Sequence, residues 1–335
     1  MSEWDEVKKG IDYLGRLSPA STMREMWEVG AKTARSVSDY APHGRAAKQA
    51  VEGAKGELAQ MASAGAGRSD DLLNIGLPGL RFFDEYLPLY NDWKGTGLDL
   101  ERDIYGKYRK LYGIDFGAFR HDVGTLQGAY GAMQDTYAEV DTEFRGLVAT
   151  WSGDAAVAAT GHISKFLEAG HNFQEGVNQF QHNVEHHVTA METVVRLCTQ
   201  SALELFSMDC GGQIPPSIEQ YIKMARHQSG VTLYDTIGAV VGDWGEQIKT
   251  SVGKIPVAGS VVEVGADFLL EAANKAKKLL DNEFVPAFES KLNKFNEIVC
   301  AKTQDDLRSL WDEFIAASEC VPGNPFADVP PLFSA

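Results

Sequence analysis

Residues 116–198 decide the fold: FGAFRHDVGTLQGAYGAMQDTYAEVDTEFRGLVATWSGDAAVAATGHISKFLEAGHNFQEGVNQFQHNVEHHVTAMETVVRLC. In the first part, apolar residues fall at Phe119, Val123, Leu126, Tyr130, Met133, Tyr137, Val140, Phe144, Leu147 and Trp151, in steps of three and four that alternate without a slip. A helix with this seven-residue repeat keeps one narrow apolar stripe on one side, the pattern by which long helices lie along each other. Thirty-five helical residues extend about 52 Å, so the partner has to be comparably long. After Trp151-Ser152-Gly153-Asp154 a second stripe follows through Ala156, Ala159, Ile163, Phe166, Phe173, Val177, Phe180, Val184, Met191, Val194 and Cys198, with Gly170 and His187 as its non-apolar members. A chain that reverses in four residues docks its two helices antiparallel. Gly153 suits a left-handed stop, and Asp154 can accept from the free amides that begin the second helix. The expectation is an all-α protein built on a long antiparallel, coiled-coil-like hairpin over 116–210, within an elongated helical bundle.

Outward from the hairpin, residues 1–115 read as shorter helical segments near 3–17, 21–38, 44–64, 70–92 and 98–113, packing on the hairpin or preceding it. Glycine breaks them at Ala64-Gly65-Ala66-Gly67 and at Lys94-Gly95-Thr96-Gly97. Beyond the turn cluster Cys210-Gly211-Gly212-Gln213-Ile214-Pro215-Pro216, a smaller C-terminal helical region spans 213–320, with helices expected near 216–229, 257–281, 284–299 and 303–319. Residues 321–335 are proline-rich and read as an extended tail. Alternation of period two is scarce throughout, which leaves strands little to build on.

The chain of 335 residues carries 47 acidic and 31 basic side chains, a formal charge of -16. Nucleic-acid affinity comes from excess Lys and Arg, so a nucleic-acid partner is disfavoured and a basic partner, or none, fits better. No apolar run reaches the length of a spanning helix, and the start Met1-Ser2-Glu3-Trp4-Asp5 lacks the layout of a cleavable secretory signal. The stripe Val261, Val264, Phe268, Ala272, Ala276 and Leu279 is amphipathic but poor in bases, so stable membrane insertion is not expected. The four cysteines, Cys198, Cys210, Cys300 and Cys320, leave two readings open: disulfides, with Cys198 to Cys210 and Cys300 to Cys320 as the pairs near in sequence, or buried thiols acting as small hydrophobes.

A Trp-x-Gly turn between two long heptad helices, here Trp151-Ser152-Gly153, resembles the WXG superfamily of helical hairpins exported by type VII (ESX) secretion systems. The resemblance covers about 90 residues. It is strengthened by Tyr137-Ala138-Glu139-Val140-Asp141, a match to the Tyr-x-x-x-acid motif of ESX-associated substrates. It implies secretion or surface display without a cleavable signal after synthesis in the cytoplasm. Trp151, Gly153, Tyr137 and Asp141 would contact the secretion machinery, and the chain would pair with a WXG-type helical partner or with further copies of itself. Two departures stand out. The tyrosine motif precedes the tryptophan by 14 residues on the same helix, about 21 Å from the turn. The long flanks also match only the larger members, with N-terminal helices that could complete a four-helix bundle in cis.

Function is therefore expected to rest on protein contacts, as a structural, assembly or virulence-type factor, with no cofactor and no catalysis. Two alternatives remain: a toxin whose first 210 residues deliver an effector in 213–335, and a cytoplasmic helical adaptor or secretion chaperone. A third is chemical. His182-Asn183-Val184-Glu185-His186 matches a His-x-x-Glu-His pattern, which would place two zinc ligands on one helix face with Glu185 as base, provided a third ligand came from elsewhere. No phosphate loop, nucleophile elbow, Cys-x-x-Cys pair or calcium loop occurs.

Overall fold

The computed structural model describes residues 20–226, 273–319, 324–327 and 329, with residues 20–39 described by backbone alone. Among these the chain is all-α, without strands. Helix α1 is Ala20–Ala64, α2 Ser69–Lys94, α3 Gly106–Arg109, α4 Phe116–Thr150, α5 Asp154–Leu203, α6 Pro215–Ala225, α7 Val285–Lys294 and α8 Thr303–Ser318. Wider π-helical turns occupy Leu100–Tyr105, Leu280–Phe284 and Phe295–Lys302.

Two expected breaks are absent. Helix α1 runs through Pro42 where separate helices 21–38 and 44–64 were expected. Packing bridges the proline: Tyr40 before it donates to Glu85 at 2.6 Å, and Gly44 after it lies against Met208. Residues 273–318 likewise form one helical run in which the π-helical turns replace the expected gap between 299 and 303. The expected helices 3–17 and most of 257–281 lie outside the described residues.

The chain divides into two compact units that do not follow the linear order 1–115, 116–210, 213–320 and 321–335. One draws its described residues from Met1–Glu57, Gly76–Arg109 and Gln200–Ile298, the other from Leu58–Ile75, Lys110–Thr199 and Val299–Ala335. The first unit is built on aromatic rings. Phe82, Phe83, Tyr86 and Tyr90 of α2 share one apolar face at helical spacing. They meet Phe284 tilted and Phe288 and Phe295 edge-on or stacked, with Phe83 5.4 Å from Phe295 and Tyr90 4.4 Å from Phe288. The tyrosines satisfy their hydroxyls at the border of this core: Tyr86 donates to the Met208 carbonyl at 2.8 Å and Tyr90 to Glu289 at 2.8 Å. Lys291 lies 4.9 Å over the Phe82 ring and donates to the Leu205 carbonyl at 2.6 Å, so burial holds its ammonium below the usual range without leaving it unpaired.

Burial pushes the Cys210 thiol up to about 12, and burial aided by Glu289 pushes Tyr90 up to about 12. Burial also raises Tyr86. These groups hold their protons more tightly folded than unfolded. Their stabilisation is complete below the ordinary thiol and phenol ranges and is lost as pH climbs toward the folded values. Helical circular dichroism should therefore fall cooperatively between about pH 10 and 12, together with tyrosinate absorbance at 295 nm. A helical signal unchanged to pH 12 would contradict this account of the core.

The second unit holds the hairpin. Asp115 caps α4 by accepting from Ala118 N–H at 2.8 Å, and Gly117 N–H donates to Gly67 O at 2.8 Å. Helix α4 ends at Trp151, whose backbone is extended, and Gly153 takes φ +102°, the left-handed turn expected of it. The first helical bond of α5 is Val157 N–H to Gly153 O at 3.1 Å. Asp154 thus sits in the first turn, where its charge favours the positive helix end. Tyr137 meets His171 at 5.8 Å between ring centroids, and farther from the turn on both helices Arg120 pairs with Glu192. Walking away from the bend on one helix moves away from it on the other, as antiparallel rods require.

Helix α5 departs from its expected stripe in one respect. Its buried line runs Gln174, Val177, Gln181, Val184, Val188, Met191, Val195 and Cys198, sharing every second position with the expected one and moving the others by one residue. The displaced positions turn toward α8 instead: Phe180 and His187 pack on Phe314, at 6.2 and 5.7 Å. Helix α8 also sets Trp311 against Phe119 at 5.8 Å and accepts from Asn183 through Ala317 O at 3.3 Å. Within this unit, then, a C-terminal helix covers the hairpin base, alongside the 65–72 segment tied in through Ala66 and Leu72.

Cys198, Cys210 and Cys300 are buried free thiols, so no disulfide joins Cys198 to Cys210, and Cys320 lies outside the described residues. Cys198 Sγ donates to Val299 O at 3.3 Å and Cys210 Sγ to Phe284 O at 3.7 Å, the behaviour of small core side chains. The described part of the tail, expected to be extended, is turned. Asn324 Oδ1 accepts from Phe326 N–H at 3.2 Å, and the Phe326 ring stacks on Phe166 at 4.7 Å.

Candidate functional site

The hairpin tip combines residues whose side chains have no apolar reason to face water. Trp151 is 41% exposed, Val148 48% and Val157 71%, with Leu147 and Val140 similarly open. Single exposed apolar residues are ordinary, but a cluster around one bend signals contact. The Trp151 backbone N–H still donates to Leu147 O at 3.0 Å, so the indole is held by a helix terminus and not by a loose loop.

The local sequence explains why the cluster forms. The stripe of α4 is only half-buried along most of its length, because the facing part of α5 offers few large side chains there: between Asp154 and Phe173 only Ala156 and Leu167 are buried. Val148 and Val157 lie off the heptad and are largely open to solvent. They were missed by a reading confined to the stripe, although an apolar residue outside an otherwise regular repeat was the available signal.

Of the four residues singled out in the sequence, Trp151 and Gly153 stand at the tip. Tyr137 and Asp141 do not join them, being 14 and 10 residues back along the same helix, about 21 and 15 Å. Tyr137 is half-buried against His171, and Asp141 pairs with Arg145 at 2.7 Å. Glu139, Glu143 and Asp154 surround this region as exposed carboxylates without an ion pair among the described residues.

Among the described residues the zinc reading gains no third ligand. His182, Glu185 and His186 lie on the exposed side of α5, since the buried line takes Gln181, Val184 and Val188. His187 turns inward, with Nδ1 2.7 Å from Asn183 O. Among the described residues no group of three metal-ligating side chains converges there or elsewhere. Nor is any helix among them long and apolar enough to cross a membrane.

No family model, curated protein or solved structure matches this chain.

Glycine in the hairpin supplies a test of its local energetics. A Cβ at Gly124, Gly128 or Gly170 meets nothing within 4 Å. Each Gly→Ala exchange there should raise stability by about 0.5–1 kcal/mol through helix preference alone. Gly153→Ala should lower it by about 1 kcal/mol, because its positive φ strains any side chain. Denaturant midpoints check both; equal effects at Gly170 and Gly153 would remove the left-handed bend from the account.

Proposed function

We propose that the protein is a substrate of a type VII secretion system and acts through protein contacts, with the tip around Trp151 and Gly153 as the part read by the secretion machinery. The supporting observation is the exposed indole at the bend of two long helices, flanked by Val148 and Val157. Recognition at such a site draws on a large rigid aromatic side chain that loses little conformational freedom on binding. Tyr137 and Asp141, spaced along α4, present a second contact on the same rod, separate from the tip.

The effector alternative has less support. Within the first unit, Phe284, Phe288 and Phe295 share one core with Phe82, Phe83 and Tyr86, so residues 213–335 contain half of a core. Such a fragment is not built to act after separation.

The test is export from a bacterium carrying a type VII system. A Trp151→Ala/Gly153→Ala variant should accumulate in the cell at the wild-type level, with unchanged helical content, and be missing from the medium. Undiminished secretion of the variant would remove this function from the hairpin tip.

A further inference from the structure

The composition of the tip also specifies what it binds. Val140, Leu147 and Val148 of α4 and its C-cap Trp151 lie at i, i+7, i+8 and i+11, an apolar strip of about three helical turns or 16 Å, and Val157 stands exposed in the first turn of α5 beyond the bend. Between residues 139 and 157 stand four carboxylates, Glu139, Asp141, Glu143 and Asp154, against the single guanidinium of Arg145. Arg145 is committed to Asp141 at 2.7 Å. The remaining three carboxylates are exposed beside the apolar strip.

We propose that this surface docks a basic amphipathic helix of another protein, whose apolar stripe covers Val140, Leu147, Val148, Trp151 and Val157 while its Lys or Arg flanks meet Glu139, Glu143 and Asp154. The inference rests on the reading of the tip as a recognition surface and names the chemistry of its partner. Charge decides among the occupants. A second copy of the tip would bring three like charges against three, which costs free energy at close range. An anionic lipid surface repels the same carboxylates. The described part of the chain's own tail is engaged elsewhere, with Phe326 stacked on Phe166, 12 residues from the start of α5 and about 18 Å along it. Opposite charge at the rim speeds encounter and selects the partner, while the apolar strip supplies the buried area.

The experiment uses the full chain and two labelled 21-residue helical peptides with the same Leu heptad, one flanked by Lys and the other by Glu, followed by fluorescence anisotropy at low and moderate salt. The Leu/Lys peptide should bind saturably at one per chain, more weakly as salt rises, and the Leu/Glu peptide should not bind. Trp151→Ala/Val157→Ala, which leaves the charge unchanged, should weaken the Leu/Lys peptide at least tenfold. So should Glu139→Gln/Glu143→Gln/Asp154→Asn, whereas Glu219→Gln/Asp305→Asn/Asp306→Asn should stay within twofold of wild type. Equal losses in the two neutralised variants, or binding indifferent to Trp151 and Val157, would reduce the effect to general attraction by an acidic protein and overturn the proposal. Self-association of wild type that Trp151→Ala abolishes would overturn it too, by assigning the strip to a second copy. Failure here is separable from failure of the export reading. Export that needs Trp151 without peptide binding sinks only the basic partner, and peptide binding without such a need sinks only the export role.

Discussion

Gly79→Ala is expected to abolish cooperative folding of the aromatic unit, or to cost at least about 3 kcal/mol if a folded form survives. A Cβ at this position would run into the backbone carbonyl of Ala202, with the carbonyl carbon at 2.5 Å and the Leu203 Cα at 2.6 Å. A backbone neighbour cannot rotate aside as a side-chain tip can. The usual preference of a helix for alanine over glycine, about 1 kcal/mol, points the other way and is overwhelmed. Pro78, immediately before it, already interrupts the hydrogen-bond ladder of α2, so the helix has no regular geometry to spare there. Thermal and denaturant unfolding followed by circular dichroism provide the measurement. A modest gain in stability, as at an open glycine, would show that α2 and residues 202–203 do not approach this closely.

Removal of Glu192 is expected to be nearly as damaging, and for an electrostatic reason. Its carboxylate is almost fully buried, accepts from Ala66 N–H at 3.0 Å and from Arg196 Nη2 at 3.0 Å, and pairs with Arg120. Arg120 in turn donates to Ala66 O at 2.7 Å, closing a ring of contacts at the base of the hairpin. Glu192→Ala strands Arg196, whose Nε has no partner even in the intact protein, and leaves two cations facing each other. Breaking a buried pair by removing one member costs about 3–5 kcal/mol, and the lower end applies because Arg120 keeps 43% of its side chain in solvent. Asp141→Asn is the control. The Arg145 partner there is 78% exposed, and the loss should stay below about 0.5 kcal/mol. Comparable losses at the two sites would mean that the Glu192 cluster is hydrated and does not fix the hairpin base.

The all-α class and the two long helices were legible in the sequence because their information is local. Heptad spacing, Gly153 and Asp154 all act within a few residues of where they stand, and the bend between α4 and α5 falls where those signals put it, while the Asp115 cap that starts α4 was not read. The exact face of α5 was less so. Positions 173, 180, 187 and 194 and positions 174, 181, 188 and 195 differ by a single step around the helix, and the presence of Phe314 on α8 decides which set meets which neighbour. Gln174 and Gln181 in the buried line gave a misleading polar signal.

What lay beyond sequence reading is long-range. Nothing around Phe82 or Phe83 announces that Phe288 and Phe295, two hundred residues on, complete their core. For the same reason Pro42 gave a false break, and cysteine spacing could not separate thiol from disulfide. At the candidate site Trp151 and Gly153 were readable as a bend, while the exposure of Val148 and Val157 is set by what packs on the two helix ends, which no local signal states. Tyr137 and Asp141 were found as a motif, yet the helix that carries them keeps them away from the tip.

The account depends on α4 and α5 folding back on each other at Trp151. The direct measurement is the distance between spin labels at Tyr137→Cys and His171→Cys in a background with the native cysteines replaced, read by pulsed electron resonance on the full chain. Folding back predicts a separation below about 20 Å, given ring centroids 5.8 Å apart in the native pair plus the label arms. A continuous helix through the bend would put these 34 residues about 51 Å apart. A distance in that range would contradict the hairpin and the recognition tip that rests on it.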